Sequence, residues 1–292
     1  MKQKVKLVVT ISVGPPGNRN TFDDIMDTVR SVVHYADPDR KIIIQDNSAP
    51  LSTGLKIKEL VPEVEVTRAP RNFGIYGGLY KSESYALQYV YENYDFDVLL
   101  RMDSDALMVN PGIADAAIPV IAQHPNAGLL GNYLTGGEGI EWPREQLMRQ
   151  TSVAGYVRDP KRCAMLRQLI YKAQKNGWEL GQHILGGAVM MTPKYIEGVN
   201  KAGLLHRDEL QRAKLQNDHT YSLLARALGL ELVDFNLPNG PMAITWRGLP
   251  ASPQDLVERG AMVVHATRFW GQMDEAQIRT FFRARREAVL ST

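Results

Sequence analysis

The chain has 292 residues, 44% hydrophobic and 23% charged, and its formal net charge is +2. These values fit one large α/β domain with appendages and exclude a long disordered or low-complexity region. So mild a charge neither implies nor excludes a nucleic-acid partner, because phosphate binding needs clustered Lys and Arg. Cys163 is the sole cysteine, which rules out an internal disulfide and a cysteine-rich zinc site and fits a reducing, cytoplasmic compartment. Residues 1–13 carry three lysines and a brief apolar run interrupted by Thr10 and Ser12. They read as a first strand rather than a secretion signal, and no membrane span is visible.

From Val5 to Ile11 the β-branched run predicts a buried strand, and Gly14-Pro15-Pro16-Gly17-Asn18 then forces a loop. Thr21 is placed to cap a helix whose apolar positions Phe22, Ile25, Met26, Val29, Val32 and Val33 repeat at helical period. That helix should stop near Asp37-Pro38, where Lys41-Ile42-Ile43-Ile44-Gln45 begins a second strand. A strand, helix and strand in this order pair in parallel through a right-handed crossover, with ligands beyond the strands' carboxyl ends. Asp46-Asn47-Ser48 is therefore a candidate ligand wall. A short strand at Val64–Val66 leads to the glycine-rich turn Arg71-Asn72-Phe73-Gly74-Ile75-Tyr76-Gly77-Gly78 and a further helix. Asp97–Met102 is the next strand and delivers Asp103-Ser104-Asp105 at its end.

Beyond it, Gly128–Gly131 reads as a short strand, while residues 135–158 show no clear periodicity and read as a functional loop. Asp159-Pro160 opens a helix through Leu166 and Ile170. Residues 184–191 form one apolar strand ended by Pro193, and residues 216–228 a helix closed by Gly229. Residues 230–233 and 261–264 are further strands, the latter leading to His265. Asp274 caps a last helix bearing Ile278, Phe281 and Phe282, with Arg279, Arg283, Arg285 and Arg286 as either a solvated face or a contact for an anionic surface.

Asp103 and Asp105 carry the strongest chemical signal. Carboxylates two apart at a strand end point the same way and can face one hard cation such as Mn²⁺ or Mg²⁺, although the same triplet also serves as a turn cap. A cation there would bridge a diphosphate and stabilise a departing nucleoside diphosphate. No phosphate loop G-x-x-x-x-G-K-[ST], no G-x-S-x-G elbow and no G-x-G-x-x-G after the first strand is present.

Val8-Val9-Thr10-Ile11, Ile42-Ile43-Ile44-Gln45-Asp46-Asn47-Ser48, Arg71-Asn72-Phe73-Gly74 with Gly77-Gly78, and Leu99-Leu100-Arg101-Met102-Asp103-Ser104-Asp105 follow one another in an order that resembles the GT-A glycosyltransferases, especially the inverting family 2 group. The likeness is good over residues 5–110 and loose beyond. It implies a mostly parallel twisted sheet flanked by helices. The catalytic domain would span residues 1–270, with residues 1–110 or so as the nucleotide half and about 111–270 as the acceptor half, followed by a C-terminal helix at 271–292. It implies a nucleotide-sugar donor, UDP-linked by preference, contacted by Thr10, Asp46, Arg71, Asn72, Gly74, Asp103 and Gly187. Asp46 would accept from a uracil N–H; Arg71 would touch phosphate or base, or be an ordinary surface arginine.

On the acceptor side, Gln216-Asn217-Asp218-His219 resembles the helix start where the family keeps its general base, with Asn217 standing where an acid is common. Asp218 is the candidate base, and either it or Asn217 can also cap the helix. His265 resembles the C-terminal histidine that completes the metal site in several such enzymes; a satisfied buried histidine is the alternative. Trp178 is either an acceptor-stacking ring or core. The expected reaction is glycosyl transfer to a hydroxyl acceptor (a glycan, a lipid-linked group or another), with inversion. A sugar-phosphate nucleotidyltransferase, a silent nucleotide-sugar-binding protein and a glycosyltransferase acting on nucleic acid remain as alternatives. Oligomeric state is not legible.

Overall fold

A computed structural model describes residues 2–18 and 20–290, so Arg19 and residues 291–292, the end of the expected last helix, lie outside the described residues. The first unit is β1 (Gln3–Val13), α1 (Phe22–Tyr35) and β2 (Arg40–Asp46). Thr21 starts α1 with a capping box: its hydroxyl accepts from the Asp24 amide while the Asp24 carboxylate accepts from the Thr21 amide. Next come α2 (Thr53–Leu60), β3 (Glu65–Arg68), α3 (Gly77–Asn93) and β4 (Tyr94–Asp103). Then follow β5 (Leu107–Met108), α4 (Ile113–Gln123), β6 (Ala127–Gly131) and β7 (Tyr133–Leu134).

Residues 135–158, expected as a loop, instead form most of a helical layer: α5 (Glu138–Thr151), α6 (Val153–Arg158) and then α7 (Pro160–Lys175). Their periodicity is hidden because Val153, Tyr156, Val157 and Met148 face solvent, so apolar residues do not mark the inner side. The expected strand at 184–191 is also two pieces, β8 (His183–Ile184) and β9 (Ala188–Met191). They are divided at Gly186-Gly187, where Gly187 takes φ +98. The remainder is α8 (Pro193–Lys201), α9 (Asp208–Arg212), α10 (Asn217–Ala227), β10 (Glu231–Asp234), β11 (Met242–Ile244), α11 (Pro253–Glu258), β12 (Val263–His265), β13 (Phe269–Trp270), β14 (Met273–Asp274) and α12 (Glu275–Leu290).

Among the described residues the main sheet has seven strands in the order β10-β6-β9-β4-β1-β2-β3. Its neighbours are parallel except where β9 runs against β4 and β6. The α/β class with a mostly parallel sheet is thus as expected. Helices cover both faces, which is why β1 is apolar almost throughout rather than alternating. Leu7, Val9, Ile11 and Val13 of β1 enter one core with α1, whereas Val5 and Val8 enter the opposite core with α3, α7 and α10. A smaller core joins β5, β11 and β12 to α11 and α12.

Two of the C-terminal arginines, Arg279 and Arg286, are neither a solvated face nor a free contact for an anionic partner, whereas the Arg283 side chain stays 46% exposed. Arg279 and Arg286 are buried at 1% and 7% exposure and converge on Asp27 of α1, itself 2% exposed. Their guanidiniums reach its carboxylate at 3.3 and 2.7 Å, and Arg283 approaches it at 3.4 Å. α12 is therefore clamped to α1 by buried charge. Among the described residues no helix is long and apolar enough to cross a membrane.

Candidate active site

The parallel register aligns the tips of the central strands. Val13 lies beside Asp46 and Ser12 beside Asp103, so β2, β1 and β4 end along one edge, beyond which such sheets place ligands. A cavity of about 520 Å³ opens there, lined by Asp103, Asp105, His265, Asp218 and the Gly186-Gly187 turn, with Trp142 and Trp246 on its walls.

One oxygen or nitrogen from each of Asp103, Asp105 and His265 lies within 4.8 Å of the others. The β4 backbone fixes Asp103, whose amide donates to the Gly187 carbonyl at 2.7 Å. Burial, together with the charge of Asp105, raises the Asp103 carboxyl above the usual range against the pull of Arg101. Burial acts on Asp105 too, but the facing His265 and Arg268 overcome it and hold that carboxyl at about 2. His265 stands 3.4 Å from Asp105, and burial, which works against its charge, is outweighed by that carboxylate, so its pKa is raised. The His265 Nδ1–H donates to the Thr245 carbonyl at 2.8 Å, which leaves Nε2 toward the carboxylates with its lone pair free in the neutral ring. Two carboxylates and one imidazole so oriented fit Mg²⁺ or Mn²⁺.

Across the Gly186-Gly187 turn stands Asp218, 4% exposed, in the first turn of α10. One carboxylate oxygen accepts from the Gly186 amide and the other from the His219 amide, both at 2.8 Å. Burial works against its charge, yet its pKa is lowered by His219, His183 and these two amides. Burial also pushes His219 down to about 4, so that ring is neutral at pH 7, where the Gly186 and His219 amides still favour the ionised carboxylate.

Behind the cluster lies a network with no precedent in the sequence reading beyond Arg101 and Asn217 themselves. Arg101, 1% exposed, pairs with both Asp103 and Glu83 of α3. Glu83 also accepts from Ser12 Oγ at 2.8 Å, from Asn217 Nδ2 and from the Tyr221 hydroxyl. Asn217, where an acid was expected, therefore anchors the start of α10 to this carboxylate. An acid there would face Glu83 as a like charge.

The other expected contacts are dispersed. Thr10 is buried mid-strand, three residues before Val13 at the sheet edge. Asp46 is fully buried with both oxygens occupied: Oδ1 accepts from the Ser48 amide at 2.8 Å, and Oδ2 from the Gly54 amide at 3.2 Å with Arg68 at 3.4 Å. It satisfies the start of α2 and does not line the cavity. Asn72 accepts from the Gly74 amide in the exposed turn, and Arg71 lies over the Phe73 ring at 5.1 Å. Asn47 ties that turn to the tip of β2, accepting from the Phe73 amide and donating to the Gly74 carbonyl. Gly187 is in the cavity wall. Trp178 is core, its Nε1 donating to the Gln182 carbonyl at 2.9 Å. The aromatic rings in the cavity are Trp142 and Trp246. His183 and His219, to which the sequence assigns nothing, also line it. No local spacing announces them, because 35 residues separate His183 from Asp218.

No family model and no curated protein matches the chain. Solved structures to which its backbone is similar include the following three. TarS from S. aureus in complex with UDP is 21% identical over 46% of this chain, with a TM-score of 0.33. The WbbM bifunctional glycosyltransferase is 10% identical over 92%, at 0.43. A mannosyltransferase from Pyrobaculum calidifontis in complex with GDP-Man and Mn²⁺ is 12% identical over 68%, at 0.37. The matched parts span 37%, 46% and 47% of those three chains, less than half of each.

Proposed function

We propose that this chain is a GT-A type, metal-dependent glycosyltransferase that moves a sugar from a nucleotide-sugar, UDP-linked by preference, to a hydroxyl acceptor. One observation supports the reading above the rest: an oxygen-rich donor set and an ionised buried carboxylate face one cavity from opposite sides of the Gly186-Gly187 turn. In this reading Asp103, Asp105 and His265 hold Mn²⁺ or Mg²⁺, which supplies Lewis-acid stabilisation of the leaving diphosphate. Asp218 accepts the proton of the acceptor hydroxyl, with its second lone pairs free because each oxygen takes one amide. Attack from the Asp218 side, opposite the diphosphate, inverts the anomeric carbon. Arg268, 3.7 Å from Asp105 and in the cavity wall, adds positive charge where phosphate would lie.

Residues 1–110 or so then serve mainly the donor and residues 111–270 mainly the acceptor, with His265 and Arg268 of the second half turned to the donor's diphosphate. Asp46 is fully buried and does not line the cavity, so contact with the base is assigned instead to the exposed turn at 72–74 that Asn47 anchors.

Thermal unfolding with a panel of nucleotide-sugars, with and without Mn²⁺, tests the reading. A preferred donor should raise the midpoint in a Mn²⁺-dependent way, and Asp105→Ala should abolish the Mn²⁺-dependent part while keeping the fold. An unchanged shift in that variant overturns the metal assignment. Release of nucleoside diphosphate supports glycosyl transfer, and release of pyrophosphate would replace it with nucleotidyl transfer.

A further inference from the structure

A second group of ligand-type side chains sits in the same cavity. His183, Asp218 and His219 are all buried, and one donor atom from each lies within 4.8 Å of the others. The group is built as metal sites are built. His183 Nδ1–H donates to the Gly181 carbonyl at 2.9 Å, which fixes the tautomer and leaves Nε2 with a free lone pair, as Thr245 does for His265. His219 carries the second, independent sign. Its Nδ1 is buried without any hydrogen-bond partner, and its Nε2 stands 3.7 Å from Asp218, beyond hydrogen-bond reach. A 6% exposed imidazole with one nitrogen buried and unpartnered and no hydrogen bond to protein from the other is a group left available to a ligand. Trp142 and His183 pack on that ring at 5.3 and 4.5 Å between centroids and hold it in place.

We propose that His183, Asp218 and His219 form a second metal site, selective for Zn²⁺ or a similar borderline cation, whose occupation withdraws Asp218 from use as a base. The withdrawal rests on the role given to Asp218 above; the site does not. Two neutral imidazoles and one carboxylate give a nitrogen-rich set of charge −1, whereas Asp103, Asp105 and His265 give an oxygen-rich set of charge −2. Imidazole donors favour Zn²⁺ over Mn²⁺ and Mg²⁺, and three protein ligands leave the fourth tetrahedral position open to the cavity. The cavity thus holds two sites of different metal preference, back to back on one glycine turn. Zn²⁺ then acts as an inhibitor that does not compete with the catalytic cation.

Zn²⁺ binding, measured by competition with a chromophoric chelator in saturating Mg²⁺ at neutral pH, tests this. Wild type and Asp105→Asn should each bind one Zn²⁺ per chain, and His183→Ala and His219→Gln should bind at least tenfold more weakly with unchanged circular dichroism. Failure of wild type to bind Zn²⁺ under Mg²⁺ overturns the site. So does loss of binding in Asp105→Asn with retention in His183→Ala, which would place the zinc at the first cluster. If one Zn²⁺ binds with this pattern and no nucleotide-sugar is turned over, the site stands and the transferase reading fails instead. Where turnover is seen, Zn²⁺ added over saturating Mn²⁺ should suppress it in wild type, and unaltered turnover would overturn the inhibitory role.

Discussion

A Cβ built on Gly187 would come within 2.2 Å of His265 Nδ1, and the residue's φ of +98 is one that side chains rarely adopt. Glycine at 187 is what lets the histidine ring lie against the turn that also receives the Asp103 amide. Gly187→Ala should therefore cost about 1–3 kcal/mol in urea unfolding and weaken Mn²⁺ binding, since the ring must move to make room. His219 supplies a pH signature. Its pKa falls from 6.5 to about 4 on folding, so between those values the unfolded chain binds the extra proton. Stability on this account is fully present above pH 6.5 and is lost as pH falls toward 4, by up to about 3 kcal/mol. His219→Gln should flatten that part of the stability-pH curve, measured as denaturation midpoints across the window. An equal slope in wild type and variant would contradict it.

At the scale of elements, α12 is joined to α1 chiefly through Asp27, which meets Arg279 and Arg286, with Asp24 3.6 Å from Arg279 beside it. Asp27→Ala would leave Arg279 and Arg286 buried without their shared partner, for a loss of about 3–5 kcal/mol, and should speed proteolysis within α12 before the rest of the chain is cut. The pairing explains what was legible in the sequence and what was not. α1 was readable because its cap at Thr21, its apolar period and its stop at Asp37-Pro38 are all local. α12 was readable as a helix, but the destination of its arginines depends on an acid some 250 residues away. The same holds for the site. Asp103 and Asp105 are a local pattern at a strand end, and Asp218 a local helix start, whereas His183 gains meaning only when the β8 to β9 turn brings it to α10. α5 and α6 were missed for a different reason, since their outward apolar side chains erase the contrast on which period-reading relies.

For the whole molecule, the pairing of buried arginines in α12 weakens the case for a nucleic-acid acceptor. Of the arginines of α12 that would have met phosphate, Arg279 and Arg286 are spent on Asp24, Asp27 and Glu275. Filter binding to single-stranded RNA or duplex DNA at low salt is expected to show no saturable complex; tight, steeply salt-dependent binding would refute this. The molecule's central tie is Glu83. It joins Ser12 of β1, Arg101 of β4 and both Asn217 and Tyr221 of α10, the last two from beyond residue 110. Glu83→Ala should cost about 3–5 kcal/mol by urea unfolding, because Arg101 keeps only Asp103 for company.

That tie also sets a rule for recombination. A chimera that grafts a foreign second half onto residues 1–110 inherits a guanidinium and a glutamate waiting for an amide and a phenol. Donors lacking equivalents of Asn217 and Tyr221 should yield insoluble hybrids, whatever their loops were chosen to recognise.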